Sequence, residues 1–456
     1  MKRNITILSV IAAAAMVGIA LPATAQNTPG LPQIEGPIAE QWGNQMHPGI
    51  FFPGNRPYLS ELPDIWSLEY HGYVAEEFFL TGEANGQPYT TRLVIRRPAD
   101  VEDWSGFTLL EVQHTAGAAQ TWMSSRVGGM TNGHAYVELV ERTGAANNLR
   151  ALNGARYANI AVPEDEVETQ NAIVAQAALL LRTAHPSGSE WNADPLVITG
   201  SSQTAGASRN YMEGGQQQYQ DATGAPLFDG MFVYSVNGPS SEQLAEFYDV
   251  PVIVVSTEDE WNGTREEWGP DQVAAIPEDG DLYRLYQVAG MPHLEARHYF
   301  AADPAICERP LDHFMFSAPV FLGVQSLYNW IVNDLAPPSA ERIQFEADGT
   351  IARDSHGNAM GGLRTPQLDV PTHSWNALNE GNQQCSLAGV AEFLPAEQLA
   401  ELYSTPGNYA HQLRSRTLEL IEEGWFPIEY LFEIEDEIGR FATHAGNATV
   451  EEDSAP

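Results

Sequence analysis

A mostly parallel β-sheet with helices on both faces is the fold class this 456-residue sequence predicts, and three observations predict it. Short apolar runs alternate with helix-period segments from about Tyr73 to Val332, the pattern of strand–helix–strand units whose sheet is covered on both sides. One of those runs leads straight into a Gly-x-Ser turn and a helix. The composition, 43% hydrophobic and 10% aromatic, suffices for a large core and excludes a disordered or collagen-like chain.

Taken in order, Lys2 and Arg3 precede an apolar run from Ile5 to about Leu21 and then Ala23-Thr24-Ala25. A basic head, a short hydrophobic stretch and an Ala-x-Ala site predict a signal peptide over 1–25. A membrane anchor is the competing reading, but Thr6 and Ser9 interrupt the run and it is short for a span. Export to the periplasm or beyond is therefore expected, with no anchor after cleavage. Residues 26–70 read as an irregular Pro/Gly-rich lead. A core over 71–335 begins with strands at Tyr73–Leu80 and Tyr89–Arg96, separated by Asn85-Gly86. Further strands are expected at Thr108–Gln113, Ala135–Val140, Tyr157–Val162, Leu196–Thr199, Gly230–Val236, Pro251–Val255 and Tyr283–Val288. Helices are expected over Val167–Arg182, from Thr204, and over Ser317–Val332. A C-terminal extension packed on the core, 336–456, holds helices over Ala396–Tyr403 and Tyr409–Glu423.

Sixty acidic residues against 22 basic ones give a net charge of −38, which repels nucleic acid and anionic lipid. No nucleotide motif is present, and no cofactor or metal is expected. Asp354-Ser355-His356-Gly357-Asn358 is oxygen-rich but lacks the length and terminal Glu of a calcium loop, so it reads as a turn. The two cysteines, Cys307 and Cys385, are expected to pair in an oxidising compartment.

The segment Leu196-Val-Ile-Thr-Gly200-Ser201-Ser202-Gln203-Thr204-Ala205-Gly206 has the context of a nucleophile elbow, in which a sharp reversal lifts one hydroxyl above the sheet. Thr204 breaks the strict Gly-x-Ser-x-Gly pattern, and a Ser-rich turn ahead of a helix is also an ordinary cap. A hydroxyl needs a base to take its proton. Downstream, Val250–Val255 leads into Glu258-Asp259-Glu260, and Tyr283–Val288 leads into a glycine turn with His293. Serine, acid and histidine thus occur in the chain order such an elbow requires, each after a strand.

On these residues the sequence resembles the alpha/beta-hydrolase fold, and more narrowly the bacterial "alpha/beta hydrolase domain" family with its Gly-x-Ser-Gln-[Ser/Thr]-[Ala/Gly] elbow. The resemblance runs from about Tyr73 to Leu431 and rests on Thr91–Pro98, Gly200–Ala205, Val288–His293, Asn329–Pro338 and Asp354–Pro366. It implies that Thr204 is normal, that Ser202 is the nucleophile and that His293 is the general base. Counting through the acid loop points to Glu260 as the orienting carboxylate, with Asp259 and then Glu258 as alternatives. Oxyanion donors are expected from the backbone N–H of Gln203 and from that of His114 or Thr115. Trp122 and Trp261 are nominated for a substrate pocket. The expected activity is exported serine carboxylesterase-type hydrolysis of a small-molecule ester through an acyl-enzyme. Acyl transfer by the same triad and a non-catalytic binding protein on this scaffold are the alternatives.

Overall fold

The computed structural model describes residues 28–38 and 64–453 apart from 116, 118, 165, 262–276, 297–306 and 383–384, with side chains to 446. The expected signal peptide and most of the lead lie outside the described residues. The strands are β1 (Gln33–Glu35), β2 (Tyr73–Ala84), β3 (Gln87–Pro98), β4 (Thr108–Val112), β5 (Ala135–Leu139), β6 (Leu196–Ser201), β7 (Gly230–Tyr234), β8 (Val252–Thr257) and β9 (Tyr283–Val288). They form one sheet in the order β1-β2-β3-β5-β4-β6-β7-β8-β9. The pairs among β5, β4, β6, β7, β8 and β9 are all parallel, and the first three strands join antiparallel.

Local chemistry explains the pieces. Asn85 and Gly86 both adopt positive φ (54° and 77°), the two-residue turn whose twist suits a hairpin, and it sets the β2–β3 register. β6 and β8 are buried at every position, as covered parallel strands must be, and so read as continuous apolar runs. The main helices are α1 (Gln120–Thr131), α2 (Thr143–Leu152), α3 (Val167–Thr183), α4 (Gln203–Asn210), α5 (Ser241–Phe247), α6 (Ser317–Asn333), α7 (Ala396–Leu402), α8 (Pro406–Glu422) and α9 (Leu431–Asp453).

Three sequence expectations are corrected. Gln33–Glu35, assigned to an irregular lead, pairs with β2 as an edge strand. Tyr157–Val162 is no strand; only an isolated bridge joins Ala161 to Thr90, while the Tyr157 side chain is drawn into a polar cluster described next. Helix α1 went unread because every residue from Gln120 to Met130 is buried, which erases the amphipathic signal. Its Gly128 lets α6 approach, since a Cβ there would overlap the ring of Phe321.

Beneath the antiparallel end of the sheet lies a buried ionic cluster. Arg92 Nε donates to Glu77 Oε1 at 2.5 Å and its Nη1 to Glu138 Oε1 at 2.6 Å. Arg96 Nη2 reaches Glu138 Oε2 at 2.8 Å, Arg156 pairs with Glu77, and Tyr157 donates to Glu77 at 2.9 Å. Cross-strand register brings these side chains together: Arg92 and Arg96 are four residues apart on one face of β3, and Glu138 lies opposite on β5.

The C-terminal segment shares the principal hydrophobic core, which contains Leu368, Trp375, Leu413 and Tyr430 along with the sheet residues. It includes a two-stranded antiparallel sheet of β10 (His373–Asn376) and β11 (Val390–Phe393). Cys307 and Cys385 are bonded, with an S–S distance of 2.02 Å and a sequence separation of 78. Closing a loop of that size is worth about 4 kcal/mol in the chain-entropy view. The Cys307→Ser/Cys385→Ser double variant should lose roughly that much in urea denaturation, and an unchanged midpoint would refute the estimate. Among the described residues, no helix is long and apolar enough to cross a membrane.

Candidate active site

The C-terminal ends of β6, β8 and β9 carry the site, at the edge where parallel sheets present their loops. After β6 the chain reverses at Ser202, whose backbone sits at φ 51°, ψ −115°, and α4 starts at Gln203. Such a conformation is strained for a residue with a Cβ, and here it is held by the Ser202 N–H donating to Tyr234 O at 3.1 Å. The reversal is so tight that a Cβ on Gly200 would collide with the Thr204 backbone, which explains the glycine. Thr204 replaces the second glycine without cost because its side chain folds back. Its Oγ1 accepts from the Ser201 N–H at 2.8 Å and donates to the Ser201 carbonyl at 3.0 Å.

His293 follows β9 through Gly290, which has φ 74°. Its Nε2 lies 2.9 Å from Ser202 Oγ, and its Nδ1 lies 2.6 Å from Glu260 Oε1. Asp259 Oδ2 stands farther off, at 3.8 Å. Glu258, the third acid, turns away: its carboxylate accepts from the Gly290 N–H at 2.5 Å and pairs with Arg353 at 2.7 Å. The three acids occupy one 3-10 turn, Glu258–Trp261, so successive side chains diverge by about a third of a turn. Two contacts missed by sequence reasoning fix the histidine loop. Ser235 Oγ donates to the His293 carbonyl at 3.1 Å, and the Glu258 N–H donates to Met291 O at 3.0 Å. Ser235 belongs to no recognisable motif, and the Glu258–Met291 bond joins two separate loops, so no local signal announces either contact.

The β4 end contributes His114 and Thr115. The Gln203 side chain spans the gap, its Oε1 accepting from the Thr115 N–H at 3.1 Å and from Thr115 Oγ1 at 2.9 Å. Burial, followed by the charges of Arg142 and His293, lowers the His114 imidazole to about 4, so it stays neutral beside the site. Glu111, a carboxylate within β4, lies under the start of α1 and accepts from the Thr121 N–H at 2.9 Å. Burial pushes it up to about 8 against those backbone bonds.

The two tryptophans nominated for a pocket are both buried. Trp122 is 1% exposed, edge-on to Tyr136 and under the Arg96 guanidinium. Trp261 is 3% exposed and donates to Ser256 Oγ at 2.7 Å.

A family model described as "Alpha/beta hydrolase domain" matches residues 34–431, most of the chain. The chain belongs to this family. The match begins within β1 and ends where α9 starts. No curated protein matches the chain. Among solved structures it is similar to a cold-adapted esterase from an Arctic intertidal metagenomic library, at 13% identity and TM-score 0.28, over 47% of this chain and 83% of that one. It is likewise similar to a glucuronoyl esterase from Solibacter usitatus, at 12% identity and TM-score 0.27, over 42% of this chain and 65% of that one.

Proposed function

We propose that the protein is an exported serine hydrolase that cleaves a carboxylic ester through an acyl-enzyme. The observation that carries this reading is the unbroken chain from Ser202 Oγ through His293 to Glu260, at 2.9 and 2.6 Å. Serine attacks the ester carbonyl while His293 Nε2 takes its proton. Glu260 holds the Nδ1–H tautomer and stabilises the imidazolium. The developing oxyanion is met by the Gln203 N–H at the start of α4 and by the His114 N–H, since the Thr115 N–H already donates to Gln203 Oε1. The imidazolium then protonates the departing alcohol. A water, deprotonated by the same histidine, releases the acid from Ser202. The disulfide suits an oxidising compartment, which supports export.

A fluorophosphonate probe should label the wild-type protein at Ser202, mapped by peptide mass; absence of labelling would overturn the reading. Among the acids, Glu260→Gln should lower kcat by about 10³–10⁴, because it leaves the histidine in the wrong tautomer. Asp259→Asn should cost under about tenfold by the same reasoning. Steady-state hydrolysis of p-nitrophenyl acetate distinguishes the two, and the reverse ranking would reassign the acid.

A further inference from the structure

We propose that His313, His373 and Glu437 form a binding site for a zinc-class divalent cation, which pins α9 to β10 and to the segment ahead of α6. These residues lie outside the triad and outside the sequence expectation of no metal. They stand about sixty residues apart in the chain, so no spacing motif announces them.

The geometry is that of converging ligands. One donor atom from each residue lies within 4.8 Å of the other two. His313 Nε2 is 3.1 Å from Glu437 Oε2, and His373 Nδ1 is 3.6 Å from Glu437 Oε1. Ligands bound tetrahedrally at about 2.0–2.1 Å stand roughly 3.3 Å apart, so both separations bracket the required value.

The surroundings supply the rest of a site. Thr372 Oγ1 is 2.8 Å from His373 Nδ1 and 3.3 Å from Glu437 Oε1. With a cation on Nδ1, that hydroxyl turns to the carboxylate as an outer-shell donor. Trp375 stacks at an angle on both imidazoles, with centroids 4.9 and 5.4 Å away, and Phe393 lies 3.9 Å from His373. On the other side, His313 and His373 line a cavity of about 780 Å³, where a water can complete the coordination. Two imidazoles and one carboxylate favour zinc over calcium or magnesium, which take oxygen ligands.

The test is calorimetric titration of the purified full-length protein with Zn²⁺, together with visible absorption after loading with Co²⁺. Wild type should bind one Zn²⁺ per chain, and the Co²⁺ form should show the d–d bands of a tetrahedral nitrogen–oxygen site. His313→Gln and Glu437→Gln should each weaken Zn²⁺ binding by at least the 10–100-fold that outer-shell changes cost. His293→Ala, which dismantles the other histidine–carboxylate cluster, should bind as wild type does. Weak non-saturating binding by wild type, an octahedral Co²⁺ spectrum, or loss of binding in His293→Ala alone would each overturn the proposal. The Co²⁺ spectrum is read on unmutated protein and so decides the matter even if a variant fails to fold.

Discussion

Replacing Ser202 by alanine is expected to lower kcat for a p-nitrophenyl ester by roughly 10⁵–10⁶, with KM little changed. In the proposed reaction every bond change passes through that oxygen, which lies 2.9 Å from His293 Nε2. His293→Ala should cost a similar factor, and the double variant hardly more, because two members of one relay cannot be lost twice. The fold should be indifferent to the first substitution. What holds the elbow does not involve the Ser202 side chain: the Ser202 N–H donates to Tyr234 O, and the Thr204 hydroxyl bonds the Ser201 backbone. Far-UV circular dichroism should therefore superimpose on wild type. Turnover by Ser202→Ala within tenfold of wild type would remove the nucleophile assignment, whatever the other residues do.

Replacing Arg92 by methionine is the change expected to damage stability most, by about 3–5 kcal/mol. The guanidinium is fully buried between Glu77 and Glu138, and its removal takes one charge-assisted hydrogen bond from each buried carboxylate, leaving Glu77 to Arg156 and Tyr157 and Glu138 to Arg96. Arg414 offers the contrast. It makes the same kind of pair with Glu435 at 2.5 Å, but the two side chains are 50% and 57% exposed. Arg414→Ala should stay within about 1 kcal/mol of wild type. Urea denaturation of both variants checks the pair of expectations, and equal losses would refute the burial argument.

The parts of the site legible in the sequence share one property: their chemistry is written into a local pattern. The Gly200–Thr204 elbow is visible because a strand, a small residue and a helix must follow one another for the backbone to reverse. His293 is visible because a strand and a glycine turn precede it. The acid loop was narrowed to three residues but not to one by its residues alone, since a 3-10 turn scatters adjacent side chains in different directions. Only the fold shows that Glu260 faces the imidazole while Glu258 clamps Gly290 and Arg353. Helix α1 was invisible for the opposite reason: total burial leaves no periodicity to detect.

By itself, then, the chain determined the strand–helix alternation, the parallel sheet and the order of the serine turn, the acid loop and the histidine turn, because backbone sterics and hydrophobic period act over a few residues at a time. Tertiary structure alone decided which tryptophans face inward, which carboxylate meets the histidine, and that Glu77, Arg92 and Glu138 should share a dry cluster. It also brought His313, His373 and Glu437 together from three distant segments. Those outcomes depend on cross-strand register and on long-range packing, and neither leaves a trace in the spacing of residues along the chain.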